Sequence, residues 1–216
     1  MPKLHKNLQY LNTKWTAEKV RQEIDCGLSL LNQIDKKIVT FFGSHLVTKK
    51  NAYYQHCQKI AYTLGQRNYA IMSGGGPGIM HAANSGATQA TATSLGLQAE
   101  LLEKEKITDK IFTHRLSFQF LFVRRFIMSI KSEVLIFYPG GFGTLNELFE
   151  FAMLMQTGIV DKVPIICVNK KYWRDLFIWL KTHAVKNKLL INSVKDMGLL
   201  RLVDEENDVI NIIENR

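Results

Sequence analysis

A glycine-rich stretch with a glutamate close behind it, YPGGFGTLNELFEF, runs from Tyr138 to Phe151. Glycines let backbone N–H groups approach an anion closely, and the N-terminus of a following helix adds about half a positive charge. The stretch therefore predicts a phosphate-binding loop that opens a helix. Glu147 falls about one turn into that helix, and a carboxylate beside an anion site requires a chemical reason.

A second glycine loop, SGGGPGIM, spans Ser73–Met80 and also stands between an apolar run and a helical pattern. His81 occupies the place of the third glycine in a dinucleotide motif, and no lysine follows Gly143 as a triphosphate loop requires. Both alternatives are therefore disfavoured. Two loops at the carboxyl ends of parallel strands can hold one phosphate between them.

The elements around these loops alternate between apolar runs and helical patterns. This alternation predicts an α/β fold, a Rossmann-like, doubly wound parallel sheet with helices on both faces. We expect one domain over residues 1–216, with a leading amphipathic helix at about 16–34 capped by Thr16. The expected strands lie at 37–42, 69–72, 96–101, 134–138, 163–168 and 200–203. The expected helices after the first lie at about 51–64, 79–94, 116–130 and 144–157, from Tyr172 and after Asp204, and a polar loop, EKEKITDK, lies at 103–110.

The charge of the chain points to an anionic partner, because 28 Lys and Arg against 19 Asp and Glu leave +9. Nucleic acid is disfavoured, since no aromatic-basic stripe or recognition motif is present. A membrane is disfavoured too, since no run of about 18 apolar residues occurs. The three cysteines show no metal spacing or disulfide framework and no apolar leader precedes a cleavage site, so we expect a cytoplasmic protein without metal or cofactor.

Three motifs together closely resemble the LOG family of cytokinin riboside 5′-monophosphate phosphoribohydrolases. They are SGGGPGIMHAAN, VRRFIM and PGGFGTLNE, and the resemblance runs from about Lys37 to the C-terminus. It implies a Rossmann-like homodimer that hydrolyses a purine nucleoside 5′-monophosphate to free base and ribose 5-phosphate. The catalytic pair that it implies is Arg124 and Glu147. The sequence departs from the family by Arg125 where lysine is common and by Asn146 where an acidic residue is common.

The substrate contacts expected from the resemblance and the glycine loops form one set. They are Ser44, Gly75, Gly76, Gly78, Met80, Arg125, Gly140, Gly141, Gly143 and Thr144. The expected helix at 116–130 carries four phenylalanines, which we assign mostly to the core, with one or two lining the base pocket or a dimer contact. These are Phe118, Phe120, Phe122 and Phe126.

Cleavage of a ribose-to-base bond explains the carboxylate, because positive charge develops at the sugar carbon in an oxocarbenium-like transition state. Glu147 would stabilise that charge or activate water. Arg124 is too basic to act as a general acid, so we expect it to orient Glu147 and contact the nucleotide. The proton donor to the base stays open between groups such as His81 and His114.

Two alternatives remain at this stage. Thr144-x-x-Glu147 matches a capping box, in which Glu147 would only satisfy an N–H at the helix start. Proteins resembling molybdenum-cofactor carriers share this fold and its glycine loops without hydrolysing a nucleotide. The Arg124 and Glu147 pair favours the enzyme.

Overall fold

A seven-stranded parallel sheet forms the centre of the chain, as seen in a computed structural model that describes residues 8–100, 107, 109–190 and 193–215. Within these residues the strand order is β4-β3-β2-β1-β5-β6-β7, and every pairing is parallel. The strands are β1 Ile38–Phe42, β2 Ala70–Ser73, β3 Ser94–Ala99, β4 His114–Phe118, β5 Ser132–Phe137, β6 Ile165–Val168 and β7 Leu200–Val203. The chain winds outward from β1 to β4 and returns on the other side of β1 at β5. The fold class predicted from the sequence is confirmed.

Helices cover both faces of this sheet. They are α1 Thr13–Asn32, α2 Ala52–Gln66, α3 Ile79–Gln89, α4 Leu121–Ile130, α5 Phe142–Gln156, α6 Lys170–Trp179, α7 Ser193–Gly198 and α8 Glu206–Glu214. One apolar cluster joins the sheet to α2, α3 and α8, and the other joins it to α1, α4, α5 and α6. Strand β1 shows why the central strands are mainly apolar, because Val39 and Phe41 enter the first cluster while Ile38 and Phe42 enter the second. Among the described residues no helix has both the length and the apolarity needed to cross a bilayer.

The expected aromatic helix at 116–130 is wrong in its first part. Residues His114–Phe118 form the edge strand β4, paired with β3 from His114 to Phe118, and α4 begins only at Leu121. Leu116 and Phe118 alternate with polar residues, and alternate positions lie on one face of a strand. The alternation of apolar and polar residues in this segment therefore indicated a strand and not a helix.

Some element boundaries also differ from the prediction. α1 begins at Thr13 with Asn12 as its cap, since Asn12 Oδ1 accepts a hydrogen bond from the backbone N–H of Trp15 at 3.1 Å, so Thr16 is not the cap. α3 ends at Gln89, because the chain must leave it to enter β3 at Ser94. The short α7 was not predicted, and most of the predicted polar loop at 103–110 lies outside the described residues.

The leading helix fixes the position of α4. Glu23 of α1 is only 5% exposed, and its two carboxylate oxygens accept hydrogen bonds from the backbone N–H groups of Gln119 (2.7 Å) and Phe120 (3.2 Å). These N–H groups lie at the start of α4, where a helix has no internal acceptors for them. One turn further, Gly27 packs against Ile127, because a Cβ at Gly27 would lie 2.6 Å from Ile127 Cγ1. α1 therefore determines where α4 presents its arginines.

Candidate active site

A cavity of about 380 Å³ opens where the strand order reverses, beyond the carboxyl ends of β1 and β5. Open α/β sheets bind ligands at this point, and the volume lies in the range of small-molecule sites. Its walls come from the loop after β1, from α4, from the start of α5 and from the glycine loop after β2. The lining residues are Phe41, Phe42, Gly43, Ser44, His45, Leu46, Gly74, Met80, Leu121, Arg124, Arg125, Gly141, Phe142, Gly143, Thr144, Asn146 and Glu147.

An ion pair between α4 and α5 lies in the cavity wall. Arg124 Nη2 donates to Glu147 Oε1 at 3.2 Å, and the two side chains are 12% and 14% exposed. Gly74 makes room for the guanidinium, since a Cβ at Gly74 would lie 3.3 Å from Arg124 Nη1. The two residues expected to act together thus lie in contact, on helices that the sheet and α1 hold in place.

Burial of Glu147 raises the pKa of its carboxyl from the usual 4.5 to about 7. The positive charges of Arg124 and Arg125 lower this pKa, and the negative charge of Glu150 raises it, but loss of solvent is the largest cause. The carboxyl therefore changes its charge near neutral pH. A strongly perturbed acid in a cavity is a candidate for proton transfer or charge stabilisation.

The helix that carries Glu147 begins earlier than the sequence suggested. α5 starts at Phe142 with Gly141 as its cap residue, so Thr144 is its third residue rather than its cap. The capping-box alternative for Glu147 is therefore wrong. Gly141 has no side chain with which to cap the helix, and Gly141, Phe142, Gly143 and the buried Thr144 line the cavity. The first N–H groups of α5, which have no acceptor within the helix, can therefore receive an anion there.

The predicted substrate contacts divide into two groups. Six of them line the cavity: Ser44, Met80, Arg125, Gly141, Gly143 and Thr144. Four do not line it: Gly75, Gly76, Gly78 and Gly140. The glycine loop after β2 reaches the cavity through Gly74 instead, so the two loops border one site as expected, although by different residues.

The glycines outside the cavity wall hold the surrounding loops together. Gly78 has a φ of +68°, and a Cβ there would collide with the carbonyl oxygen of Ser44. A Cβ at Gly140 would collide with the hydroxyl of Thr144. Tyr172 of α6 donates its hydroxyl to the carbonyl oxygen of Gly140 at 2.5 Å. These glycines bring the loops after β1, β2 and β5 into direct contact.

Some lining residues were not expected, among them His45, Leu46, Leu121 and Phe142. His45 lies shortly after the carboxyl end of the central strand β1, where ligands bind in such sheets. Its position in the sequence could therefore have indicated a residue of the site. The three apolar residues form an exposed rim, with Phe142 94% exposed and Leu46 77% exposed. A base presented at this rim would meet apolar surface.

The two histidines considered as proton donors lie elsewhere. His81 bonds through Nδ1 to the hydroxyl of Tyr54 at 2.6 Å and through Nε2 to Asp109 at 2.8 Å. His114 lies on β4 beside the hydroxyl of Thr113. Neither lines the cavity. In the described part of the chain no group of three His, Cys, Asp or Glu side chains could hold a metal ion.

The chain is similar to a known family and to proteins of known name. Residues 80–213 match the family model described as "Possible lysine decarboxylase". A probable cytokinin riboside 5′-monophosphate phosphoribohydrolase of Oryza sativa subsp. japonica is 26% identical over 181 residues, covering 83% of this chain and 72% of that protein. A cytokinin riboside 5′-monophosphate phosphoribohydrolase of Arabidopsis thaliana is 25% identical over 179 residues, covering 79% and 83%.

Solved structures with the same fold include proteins of molybdenum-cofactor handling. The molybdenum cofactor binding protein of Rippkaea orientalis superposes with a TM-score of 0.60 at 17% identity, covering 85% of this chain and 98% of that one. The molybdenum cofactor carrier protein of Chlamydomonas reinhardtii gives 0.59 at 16% identity, covering 83% and 97%. At these identities the likeness shows the fold alone.

Proposed function

The chain belongs to the LOG family, whose model is described as "Possible lysine decarboxylase", and on this premise we propose that it is a nucleoside 5′-monophosphate phosphoribohydrolase. The substrate is a purine nucleoside 5′-monophosphate, AMP or a cytokinin riboside 5′-monophosphate, and the products are free base and ribose 5-phosphate. The observation that carries the proposal is the mostly buried Arg124 and Glu147 pair beside the N-terminus of a helix whose cap residue is a glycine. The named activity of the relatives supports it.

The first role of the site in this proposal is to hold the 5′-phosphate. The N–H groups at the start of α5 and the hydroxyl of Thr144 are donors, and Arg125 supplies positive charge at the same cavity. Phosphate binding positions the sugar, and binding energy from a part of the substrate that does not react can be used to orient the reacting carbon.

The second role is to support the departure of the base. The bond between the ribose C1′ and the base nitrogen breaks, and its electron pair leaves with the base. A water oxygen bonds to C1′ and this water gives up one proton, while the base nitrogen takes up one proton, so that the neutral free base and ribose 5-phosphate are released. Glu147 in its ionised form stabilises the positive charge at C1′ or removes a proton from that water. Arg124 holds the carboxylate in place and contacts the nucleotide.

The lining of the cavity speaks against lysine decarboxylation. Decarboxylation with pyridoxal phosphate uses a lysine that forms a Schiff base with the cofactor. None of the described residues that line the cavity is a lysine. We therefore take the hydrolysis of a nucleotide, and not the decarboxylation of lysine, as the activity to test.

The direct experiment compares AMP with adenosine. We expect free adenine and ribose 5-phosphate from AMP, detected by chromatography, and a catalytic efficiency on adenosine lower by about 100-fold or more, because adenosine lacks the group that the helix start binds. Equal catalytic efficiency on AMP and adenosine would mean that the 5′-phosphate plays no part in the mechanism. Tight AMP binding without any adenine release would favour a carrier or binding protein instead.

The exposed apolar surface supports the homodimer that this family resemblance implies. Phe122, Phe126 and Ile130 form an i, i+4 stripe on α4 with exposures of 54%, 42% and 44%, and Phe149 and Met153 form a similar stripe on α5 at 42% and 46%. Monomers rarely leave such patches uncovered. We propose that a second copy covers them, next to the cavity. Sedimentation and activity over a dilution series test this, and a fully active monomer would contradict it.

A further inference from the structure

A second ion pair lies beside the first. Arg125 Nε donates to Glu150 Oε2, and the two side chains are 17% and 23% exposed. α4 thus offers two consecutive arginines, and α5 offers two carboxylates three residues apart on one face. Each arginine takes one acidic side chain within a mostly buried contact.

The two ion pairs determine which charges lie near Glu147. The groups that face Glu147 are Arg124 and Arg125 from α4, Glu150 from its own helix, and His45, which lines the same cavity from the loop after β1. Arg125 is part of the cavity wall while Glu150 is not. Glu150 therefore holds Arg125 from behind, on the side away from the ligand space.

We infer that Glu150 is a positioning residue for the proposed reaction: it holds Arg125 in its own ion pair, so that Glu147 is paired with Arg124 alone. The inference rests on the proposed function, since it concerns the carboxylate expected to act on the sugar. Nothing in the reaction requires Glu150 to touch the substrate.

The physical consequence is a change in the charge state of Glu147 when Glu150 is neutralised. Without the carboxylate of Glu150, its repulsion of the Glu147 carboxylate is lost and no longer offsets the attraction by Arg125. This loss favours ionised Glu147, so the pKa of Glu147 falls. In the intact protein the effects of Arg125 and Glu150 on the pKa of Glu147 oppose each other.

The experiment measures this pKa without any substrate. The carboxyl ¹³C signals of glutamate side chains are titrated by NMR in the intact protein, and the signal of Glu147 is assigned by its absence in Glu147→Gln. We expect Glu150→Gln to lower the pKa of Glu147 by about 1 unit. The double variant Arg125→Gln/Glu150→Gln removes both charges and should bring the pKa back toward the wild-type value, and Glu150→Asp, which keeps the charge, should shift it least.

The pH profile of kcat/KM for AMP is the second readout. Its acidic limb should move to lower pH in Glu150→Gln by the same amount as the NMR pKa, because the limb reports the free enzyme. An unchanged pKa of Glu147 in a folded Glu150→Gln protein overturns the inference, and so does a double variant that shifts as far as the single one. A shifted NMR pKa in a protein that never cleaves AMP supports the charge balance and refutes the proposed reaction.

Discussion

Replacement of Glu147 by glutamine should remove a specific part of the pH dependence of folding. The carboxyl has a pKa of about 7 in the folded protein against 4.5 for an ordinary glutamate, and each pKa unit corresponds to about 1.4 kcal/mol. The folded state thus binds this proton more tightly than the unfolded state by about 3 kcal/mol. The stabilisation is complete below about pH 4.5 and is lost as the pH rises through about 7.

Glutamine occupies nearly the same volume but cannot titrate. The free energy of unfolding should be measured by urea denaturation between about pH 4.5 and pH 8 for both proteins. We expect wild type to lose about 3 kcal/mol relative to Glu147→Gln over this interval. Groups that titrate in both proteins, such as the half-buried His56, cancel in the difference. Glu214→Gln, on an exposed carboxylate of α8, is the control and should follow wild type.

Parallel curves for wild type and Glu147→Gln would refute the reasoning, because they would mean that the carboxyl is solvated in the folded protein. The same variant also tests the chemistry. Turnover of AMP should fall by about 100-fold or more while the nucleotide still binds, since general-base contributions are roughly 10² to 10⁴. Near-normal turnover in a well-folded variant would move the cofactor-carrier alternative to first place.

Further substitutions test the residues that hold the helices and loops of the site in position. Glu23→Ala should reduce the free energy of unfolding by about 2–4 kcal/mol, since two N–H groups at the start of α4 lose a charged acceptor; a loss under about 0.5 kcal/mol would contradict this. Gly78→Ala should cost at least about 2 kcal/mol, because its φ is positive and its Cβ meets Ser44, whereas Gly143→Ala, with open space around it, should change stability by less than about 1 kcal/mol. Similar melting temperatures for the two alanine variants would speak against the packing role of Gly78. Arg124→Ala should weaken AMP binding by about 10- to 100-fold and also lower turnover, as measured by calorimetry and adenine release, and an unchanged affinity would limit Arg124 to orienting Glu147.

The sequence predicted the centre of the fold better than its edge. β1 and β5 are short, mainly apolar runs, and such runs between helices have few alternatives to a buried parallel strand. β4 has a mixed sequence at the edge of the sheet, and its strand structure depends on pairing with β3. Long-range pairing of this kind leaves a weak local signal.

The candidate site shows the same division between local and long-range information. The glycine loop before α5 could be predicted from the sequence because the residues that form it are neighbours in the chain. The contact of Arg124 with Glu147 joins residues 23 positions apart, and that of Glu23 with Gln119 joins residues 96 apart. Resemblance to a family suggested the first contact, whereas no pattern in the sequence indicated the second. Gly78 shows the limit of a glycine motif, because close approach of a ligand and close approach of another loop require the same residue.

The position of Glu147 also accounts for the arginines around it. A phosphate bound at the start of α5 brings negative charge near a carboxyl that already has a pKa of about 7, and like charge raises the pKa further. The value of about 7 already includes the charges of Arg124, in direct contact, and of Arg125 at longer range, both of which lower the pKa. Without these two charges Glu147 would be protonated at neutral pH and could not stabilise a cation. In the proposed reaction the base departs with its bonding electrons, so positive charge develops at the sugar. A carboxyl with a pKa of about 7 can be ionised while that charge exists and can also take up a proton, because neither protonation state is strongly favoured at neutral pH. The ion pair is therefore best understood as the means by which an anionic substrate and an anionic side chain occupy the same cavity.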